Sequence, residues 1–246
     1  MKLTGKIAVV TGASKGIGAA IARELATAGA TVVVNYSSSP AAADAVVADI
    51  VKRGGRALAV QGNVTDPSDI ARLFTETKAS FGRVDILVNN AGSYEFIPLG
   101  AISAEHFHRL FDLNVLGLIL TTQEALKLFG ADGGAIVNVS SIVSTSSAAG
   151  GAVYSATKAA VDSLTRTFAK ELAAKKIRVN SVNPGLIDTE SMQASAIAGH
   201  QGAVAAMTPL GRLGLPADIA PVVRFLASPD SGWITGESLY ATGGLR

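Results

Sequence analysis

The chain of 246 residues contains no cysteine. That absence excludes disulfides, thiol catalysis and thiolate metal sites together, and leaves the redox compartment unmarked. An excess of one charge is missing too: 21 Lys and Arg stand against 19 Asp and Glu, a net +2. The basic residues are scattered, so the stripe expected of a nucleic-acid-binding surface is not there. Apolar runs fall short of a membrane span and are broken by polar residues. No signal-like segment precedes the first apolar run, because Met1-Lys2-Leu3-Thr4-Gly5-Lys6 leads straight into it. These absences predict a soluble, cytoplasmic protein with neither nucleic acid nor membrane as partner. His106, His108 and His200 share no metal-ligand spacing, so no metal site is expected.

What is present is apolar and regularly ordered. Hydrophobic residues make up 48% and charged residues 16%, enough for a well-buried core and against disorder. The length allows one large α/β domain or two small ones. Apolar runs near 6–12, 31–36, 56–61, 84–89, 134–140, 177–182 and 237–241 read as strands. Helical patterns lie between them, near 16–29, 40–54, 66–80, 103–129, 152–175 and 216–228. Runs such as Ile86-Leu87-Val88 and Ala135-Ile136-Val137 are continuously apolar, as strands covered on both faces are. The alternation predicts right-handed βαβ units and a doubly wound α/β sheet. No linker, low-complexity tract or further repeat interrupts it, so 1–246 is read as one domain. The tract 190–211 is small, polar and weakly periodic, and it follows Pro184-Gly185 at a strand's end. It is a candidate substrate lid, or else an ordinary surface helix and loop.

Thr11-Gly12-Ala13-Ser14-Lys15-Gly16-Ile17-Gly18 sits between the first apolar run and the first helix. Strand, glycine turn and helix in that order make a phosphate-binding corner. Gly12 permits the tight turn, Gly16 lets backbone approach a pyrophosphate, and Gly18 lets the helix pack close to the strand. The helix N-terminus then offers free N–H groups and a positive dipole to the anion. The spacing is G-x-x-x-G-x-G, and taken alone such a loop can be only a turn.

Tyr154 and Lys158 share one face of the 152–175 helix, one turn apart. A phenol ordinarily keeps its proton to pH near 10, and a nearby ammonium favours the phenolate. The spacing therefore makes a candidate acid–base pair, although exposed helices also carry it by chance. Ser141 ends the fifth apolar run, at the carboxyl edge of the sheet where ligands sit. Its hydroxyl can bond a substrate carbonyl oxygen as charge develops there, or can simply cap a turn. Asn89-Asn90-Ala91-Gly92 closes the fourth run with two carboxamides and a glycine suited to polar backbone contact. Asn114 interrupts an apolar helix, and a buried amide there needs partners.

Thr11–Gly18, Asn89–Gly92, Asn114, Ser141, Tyr154, Lys158 and Asn183-Pro184-Gly185 coincide in order and spacing. On these motifs the chain resembles the short-chain dehydrogenase/reductase family, the small single-domain kind, over essentially its full length. The resemblance implies a single-domain Rossmann fold with a seven-stranded parallel sheet and helices on both faces. It implies that Tyr154 protonates the carbonyl oxygen or deprotonates the alcohol. Lys158 would lower the tyrosine pKa and bind the nicotinamide ribose. Ser141 would position the reacting oxygen, and Asn114 would hold a water linking Lys158 to solvent. Ile187 and Thr189 resemble the residues that contact the carboxamide and phosphate. The cofactor set expected is Gly12, Ser14, Lys15, Gly16, Ile17, Gly18, Asn35, Tyr36, Ser37, Ser38, Asn63, Val64, Asn90, Ala91, Gly92, Tyr154, Lys158, Pro184, Gly185, Ile187 and Thr189.

The end of the second strand bears on cofactor choice. Asn35-Tyr36-Ser37-Ser38-Ser39 follows Val34, with no acid before Asp44. Amide and hydroxyls would not repel a 2′-phosphate as a carboxylate would. Lys15 adds a positive charge, or else points into water. NADP(H) is the expected cofactor. Asn63 stands where many relatives carry aspartate, and keeps an amide oxygen for the adenine.

Within the family the nearest resemblance is to 3-oxoacyl-acyl-carrier-protein reductases and related carbonyl reductases. An acidic carrier protein would want a basic patch. Phe129–Gly134 holds one acid, and Lys175-Lys176 is only part of such a patch. The expected activity is therefore NADPH-dependent, reversible reduction of a small or medium ketone to a secondary alcohol. The acyl-carrier reductase is the alternative, and a non-catalytic dinucleotide sensor a remote one. Expected substrate-wall residues are Ser93, Tyr94, Ile142, Val143, Gly151, Leu186 and Met192. Helix 152–175 carries an apolar stripe, Val161, Leu164, Phe168 and Leu172, and a small one, Ala156, Ala159, Ser163 and Thr167. With the resemblance, this suggests a homotetramer or dimer built partly on helices 103–129 and 152–175.

Overall fold

Seven parallel strands form a single sheet in the order β3-β2-β1-β4-β5-β6-β7. They are β1 Ile7–Val10, β2 Thr31–Tyr36, β3 Arg56–Gln61, β4 Ile86–Asn89, β5 Gly134–Val139, β6 Ile177–Pro184 and β7 Ser238–Ala241. The computed structural model describes residues 2–194, 199 and 201–245. The chain winds outward from β1 to β3, returns to β4 beside β1, and winds outward again to β7. The order reverses between β1 and β4, and a ligand crevice lies beyond the carboxyl ends at such a point.

Period-two alternation divides the strands' side chains between two cores. Ala8, Val10, Val32 and Val34 face one side, against Ile21 and Leu25 of α1 (Gly16–Thr27), Val46 and Ile50 of α2 (Pro40–Lys52), and a helix near the C-terminus. Val9, Val33, Leu87, Ile136 and Val179 face the other, with Ile70 and Leu73 of α3 (Pro67–Phe81). Each fully buried valine contributes about 1.5–3 kcal/mol relative to exposure. Two-sided burial is why these strands read as continuous apolar runs. Asp66 caps α3 by accepting from the Ser68 N–H at 2.8 Å, and Gly82 ends it at φ 80°.

The single helix expected over 103–129 is three pieces. α4 (Ala104–Phe111) runs into a π-turn at Asp112–Leu116, then α5 (Gly117–Leu126). The widened turn contains buried Asn114, whose amide is bonded to other elements rather than left among apolar neighbours. α6 (Ala152–Leu172) buries Val161 and Leu172 and leaves Ala156, Ala159, Ser163 and Thr167 exposed. Two short helices follow β6, α7 (Glu190–Gln193) and α8 (Gln201–Met207), and then α9 (Pro216–Ala227). Buried Ile219 and Val223 of α9 complete the first core. Residues 195–198 and 200, part of the candidate lid and including His200, lie outside the described residues. Among the described residues no helix is long and apolar enough to cross a membrane. Trp233, the chain's one tryptophan, is fully exposed before β7.

Candidate active site

The glycine turn is laced to the end of β4. Thr11 Oγ1 accepts from the N–H groups of Asn90 and Ala91, each at 3.0 Å. Asn90 Nδ2 donates back to the carbonyls of Thr11 at 2.8 Å and Gly12 at 3.0 Å. Gly12, at φ +61°, turns the chain against Ala91. A Cβ on Gly18 would stand 2.4 Å from Asn90 Nδ2 and 2.5 Å from the Gly12 carbonyl. Gly18 thus makes room for the lacing amide as well as for helix–strand packing. Lys15 is the exposed N-cap of α1, and no side chain caps the helix and no acid occupies its first turn. The N-terminus is therefore free for an anion. Thr189 closes the far side, its methyl group 3.6 Å from where a Gly16 Cβ would be.

Asn35 does not face this opening. Its Oδ1 accepts from the Gly12 N–H at 3.3 Å, and its Nδ2 donates to the carbonyls of Val60 and Gly62. The amide is buried beneath the loop as a brace, which leaves part-buried Tyr36 and exposed Ser37 and Ser38 at the end of β2. Asn63 is exposed, with its Oδ1 accepting from the Thr65 N–H, and Val64 is buried against the start of α5. Pro184 and Ile187 are buried where β6 ends, and Thr189 caps α7 by accepting from the Met192 N–H at 3.2 Å.

The first turns of α6 bring Tyr154 and Lys158 up beneath the ends of β4 and β5. Lys158 Nζ lies 5.9 Å from the Tyr154 ring centroid and donates to the Val139 carbonyl at 2.9 Å. A Cβ on Gly92 would stand 3.6 Å from Nζ and 3.1 Å from Asn114 Oδ1, so these three positions share one small space. Burial lowers the Lys158 pKa to about 8, opposed by the nearby Asp162 charge. Burial also raises the Tyr154 pKa, and a hydrogen bond with the Ser141 side chain counters it in part. The ammonium is turned to Val139, and Ser141 supplies the downward pull. At neutral pH the phenol therefore holds its proton.

Ser141 takes the turn-capping role that its position allowed. It ends the β5 segment, and its Oγ accepts from the Val143 N–H at 3.3 Å, capping the turn that carries Ile142 and Val143. Asn114 bonds protein through both atoms of its amide. Its Oδ1 accepts from the Ser93 N–H at 2.9 Å, and its Nδ2 donates to the Ser93 carbonyl at 2.8 Å and to Thr157 Oγ1 at 3.0 Å. It clamps the loop after β4 to α6. Tyr94 follows in that loop, with its ring 5.9 Å from that of Tyr154. Gly151 is the buried N-cap of α6, and Met192 is buried in α7. Leu186 lines a cavity of about 430 Å³ with Thr208 and Tyr240, whose walls include none of Asn114, Ser141, Tyr154 or Lys158.

Two residues of the site were not read from the sequence. Asp162 is buried one turn beyond Lys158, held by Asn183 Nδ2 at 2.9 Å and Ser181 Oγ at 3.3 Å. The signal for it was a third step on the stripe that carries Tyr154 and Lys158. Phe96 lies 6.2 Å, ring to ring, from Tyr154, and its signal was the alternation from Tyr94 in an extended loop.

Comparison with known proteins draws these features together. A family model described as enoyl-(acyl carrier protein) reductase matches residues 12–246. The chain is 52% identical to an uncharacterized oxidoreductase of Methylorubrum extorquens, over 100% of this chain and 99% of that protein. It is 35% identical to a short-chain dehydrogenase/reductase from Serratia marcescens, with a TM-score of 0.94 over 100% of this chain and 99% of that one. The chain belongs to the short-chain dehydrogenase/reductase family. It is an oxidoreductase of that family, and its seven-stranded sheet is the fold that the resemblance implied. Other similar members include a hydroxynaphthalene reductase-like protein of Metarhizium robertsii, 42% identical over 98% of this chain and 95% of that protein. A blue fluorescent protein from a metagenomic library, solved with NADPH, is 38% identical with a TM-score of 0.93, each chain covered in full.

Proposed function

We propose that the chain reduces a ketone to a secondary alcohol with NADPH. The observation that carries this reading is Tyr154 hydrogen-bonded to Ser141 and one helical turn from buried Lys158, at the sheet edge beside an open glycine loop. Gly12, Gly16 and Gly92, the free N-terminus of α1 and the absence of an acid at the end of β2 fit a dinucleotide with a 2′-phosphate. Thr189 would close over its phosphates, and Lys15 would neutralise the extra one. When bound, NADPH supplies the hydride that the carbonyl carbon accepts.

The rest falls to the chain's own residues. Ser141 donates a hydrogen bond to the substrate oxygen and fixes it against Tyr154. Tyr154 gives its proton to that oxygen as negative charge develops there. Lys158 is charged below about pH 8 and steadies the phenolate that Tyr154 becomes. Asp162 holds that charge in place against burial. Asn114, through Ser93, fixes the wall that the substrate meets. The segment 190–211 serves as the lid, with Met192 its buried anchor.

Cofactor absorbance followed with ketones, a 3-oxoacyl thioester, NADPH and NADH tests this reading. Ketone-dependent oxidation of NADPH is expected, with Lys15→Glu lowering the NADPH-to-NADH preference by about tenfold. Turnover confined to the thioester would favour the acyl-carrier reading. The basic pair Lys175-Lys176 argues against it, since it precedes β6 at the amino edge, away from Tyr154. NADH preference in the native chain would overturn the cofactor assignment.

We also propose a homotetramer or dimer. The small face of α6 is exposed, and a groove of about 550 Å³ runs beside it between Ile97, Leu99 and Ala148. Light scattering should give a multiple of the chain mass, and a fully active monomer would remove this assembly.

A further inference from the structure

Aromatic residues make up only 5% of the chain, yet three of them meet at the candidate active site. The rings of Tyr94, Phe96 and Tyr154 form a triangle with centroids 5.9, 6.2 and 6.4 Å apart and planes inclined by 50–67°. These are the separations and tilts at which aromatic rings attract edge to face. The loop carrying Tyr94 and Phe96 is pinned at both ends. Asn114 binds both backbone groups of Ser93, and the Ile97 N–H donates to the Gly150 carbonyl at 2.8 Å. Phe96 also lies on Gly151, where an added Cβ would come within 3.1 Å of its ring. The two rings are thus a fixed wall beside the group that protonates the substrate. Phe96 remains 39% exposed, so ring surface is left uncovered by protein. Inside the same cluster the Tyr94 hydroxyl is buried and has no hydrogen-bond partner among the described residues. A buried hydroxyl without a partner is costly, and a ligand's polar group can relieve it.

We propose that the site selects aryl ketones, with the ring against Tyr94 and Phe96 and a ring hydroxyl bonded to the Tyr94 hydroxyl. The inference rests on the ketone-reductase reading and deepens it to a substrate class. A carbonyl attached directly to the ring places its oxygen within reach of Tyr154 while the ring completes the aromatic cluster. A saturated ring of similar size would fill the space without the quadrupole contacts, so flat rings gain over puckered ones.

The test compares kcat/KM for acetophenone, cyclohexyl methyl ketone and the ring-hydroxylated acetophenones, with NADPH binding measured separately by titration. Acetophenone is expected to exceed its saturated counterpart by about tenfold. Phe96→Leu should bring that ratio close to one, and Phe96→Tyr should restore it. At least one hydroxylated isomer should exceed acetophenone, and Tyr94→Phe should erase that gain. Equal turnover of the aryl and cyclohexyl ketones, or a ratio insensitive to Phe96→Leu, overturns aromatic selection and leaves the reductase reading standing. No turnover of any ketone by a protein that binds NADPH overturns both.

Discussion

Tyr154→Phe is expected to lower kcat for carbonyl reduction by about 10²–10⁴-fold, the usual contribution of a positioned general acid. The change removes one hydroxyl and leaves the ring between Tyr94 and Phe96. Packing and NADPH affinity should therefore survive, so the loss should appear in kcat rather than in KM. The hydroxyl's partner, Ser141, keeps its turn-capping bond to the Val143 N–H and should not collapse into the gap. Single-turnover kinetics with saturating NADPH would isolate the step. A variant that reacts within a few-fold of the native rate would mean that another group, or water, delivers the proton.

Lys158→Met should separate activity from stability. Loss of a preorganised positive charge is expected to cost at least about 10²-fold in kcat. Stability should move the other way. The Lys158 pKa lies at about 8 in the folded chain against an ordinary value of 10.5, so folding disfavours its protonated form. Below pH 8 the penalty is fully present, of order 3 kcal/mol. Between pH 8 and 10.5 the unfolded chain binds the extra proton, so native stability rises with pH through that window. Methionine removes the penalty but leaves the Val139 carbonyl without its donor, which returns about 1–3 kcal/mol. The net expectation is a gain of about 1 kcal/mol near pH 7, a rise of roughly 2–4 °C in Tm. That gain should fall to zero at about pH 9 and reverse sign above it, as the penalty fades and the lost Val139 donor remains. Melting curves of both proteins across pH 6–10.5, at fixed protein concentration, read this directly. A variant that melts lower than the native chain throughout would show that Lys158 stabilises the fold.

Much of this architecture is legible in the sequence because it is governed by local periodicity. The run Val32–Val34, buried on both faces, announces its strand without any tertiary knowledge. The Tyr154–Lys158 pair is equally local, since one helical turn sets its geometry. What the sequence hides depends on distant partners. Nothing around Asn35 shows that Val60 and Gly62 will take its amide and turn it away from the opening. The π-turn within 103–129 is hidden because it hinges on Ser93 and Thr157 binding Asn114 from two other segments. The burial-driven pKa shifts of Tyr154 and Lys158 have the same origin. Spacing along a helix brings the two residues together, but burial and the Val139 carbonyl decide where the charge points.

The exposure of Trp233 determines how this protein can be watched in solution. An indole already in water changes its surroundings little when the chain unfolds, so tryptophan emission should be nearly silent through a melt. Circular dichroism is the better reporter of folding here. The same indole would be dried by any protomer that docks over the β7 edge. A blue shift on concentration would then report association at that edge, with no label attached.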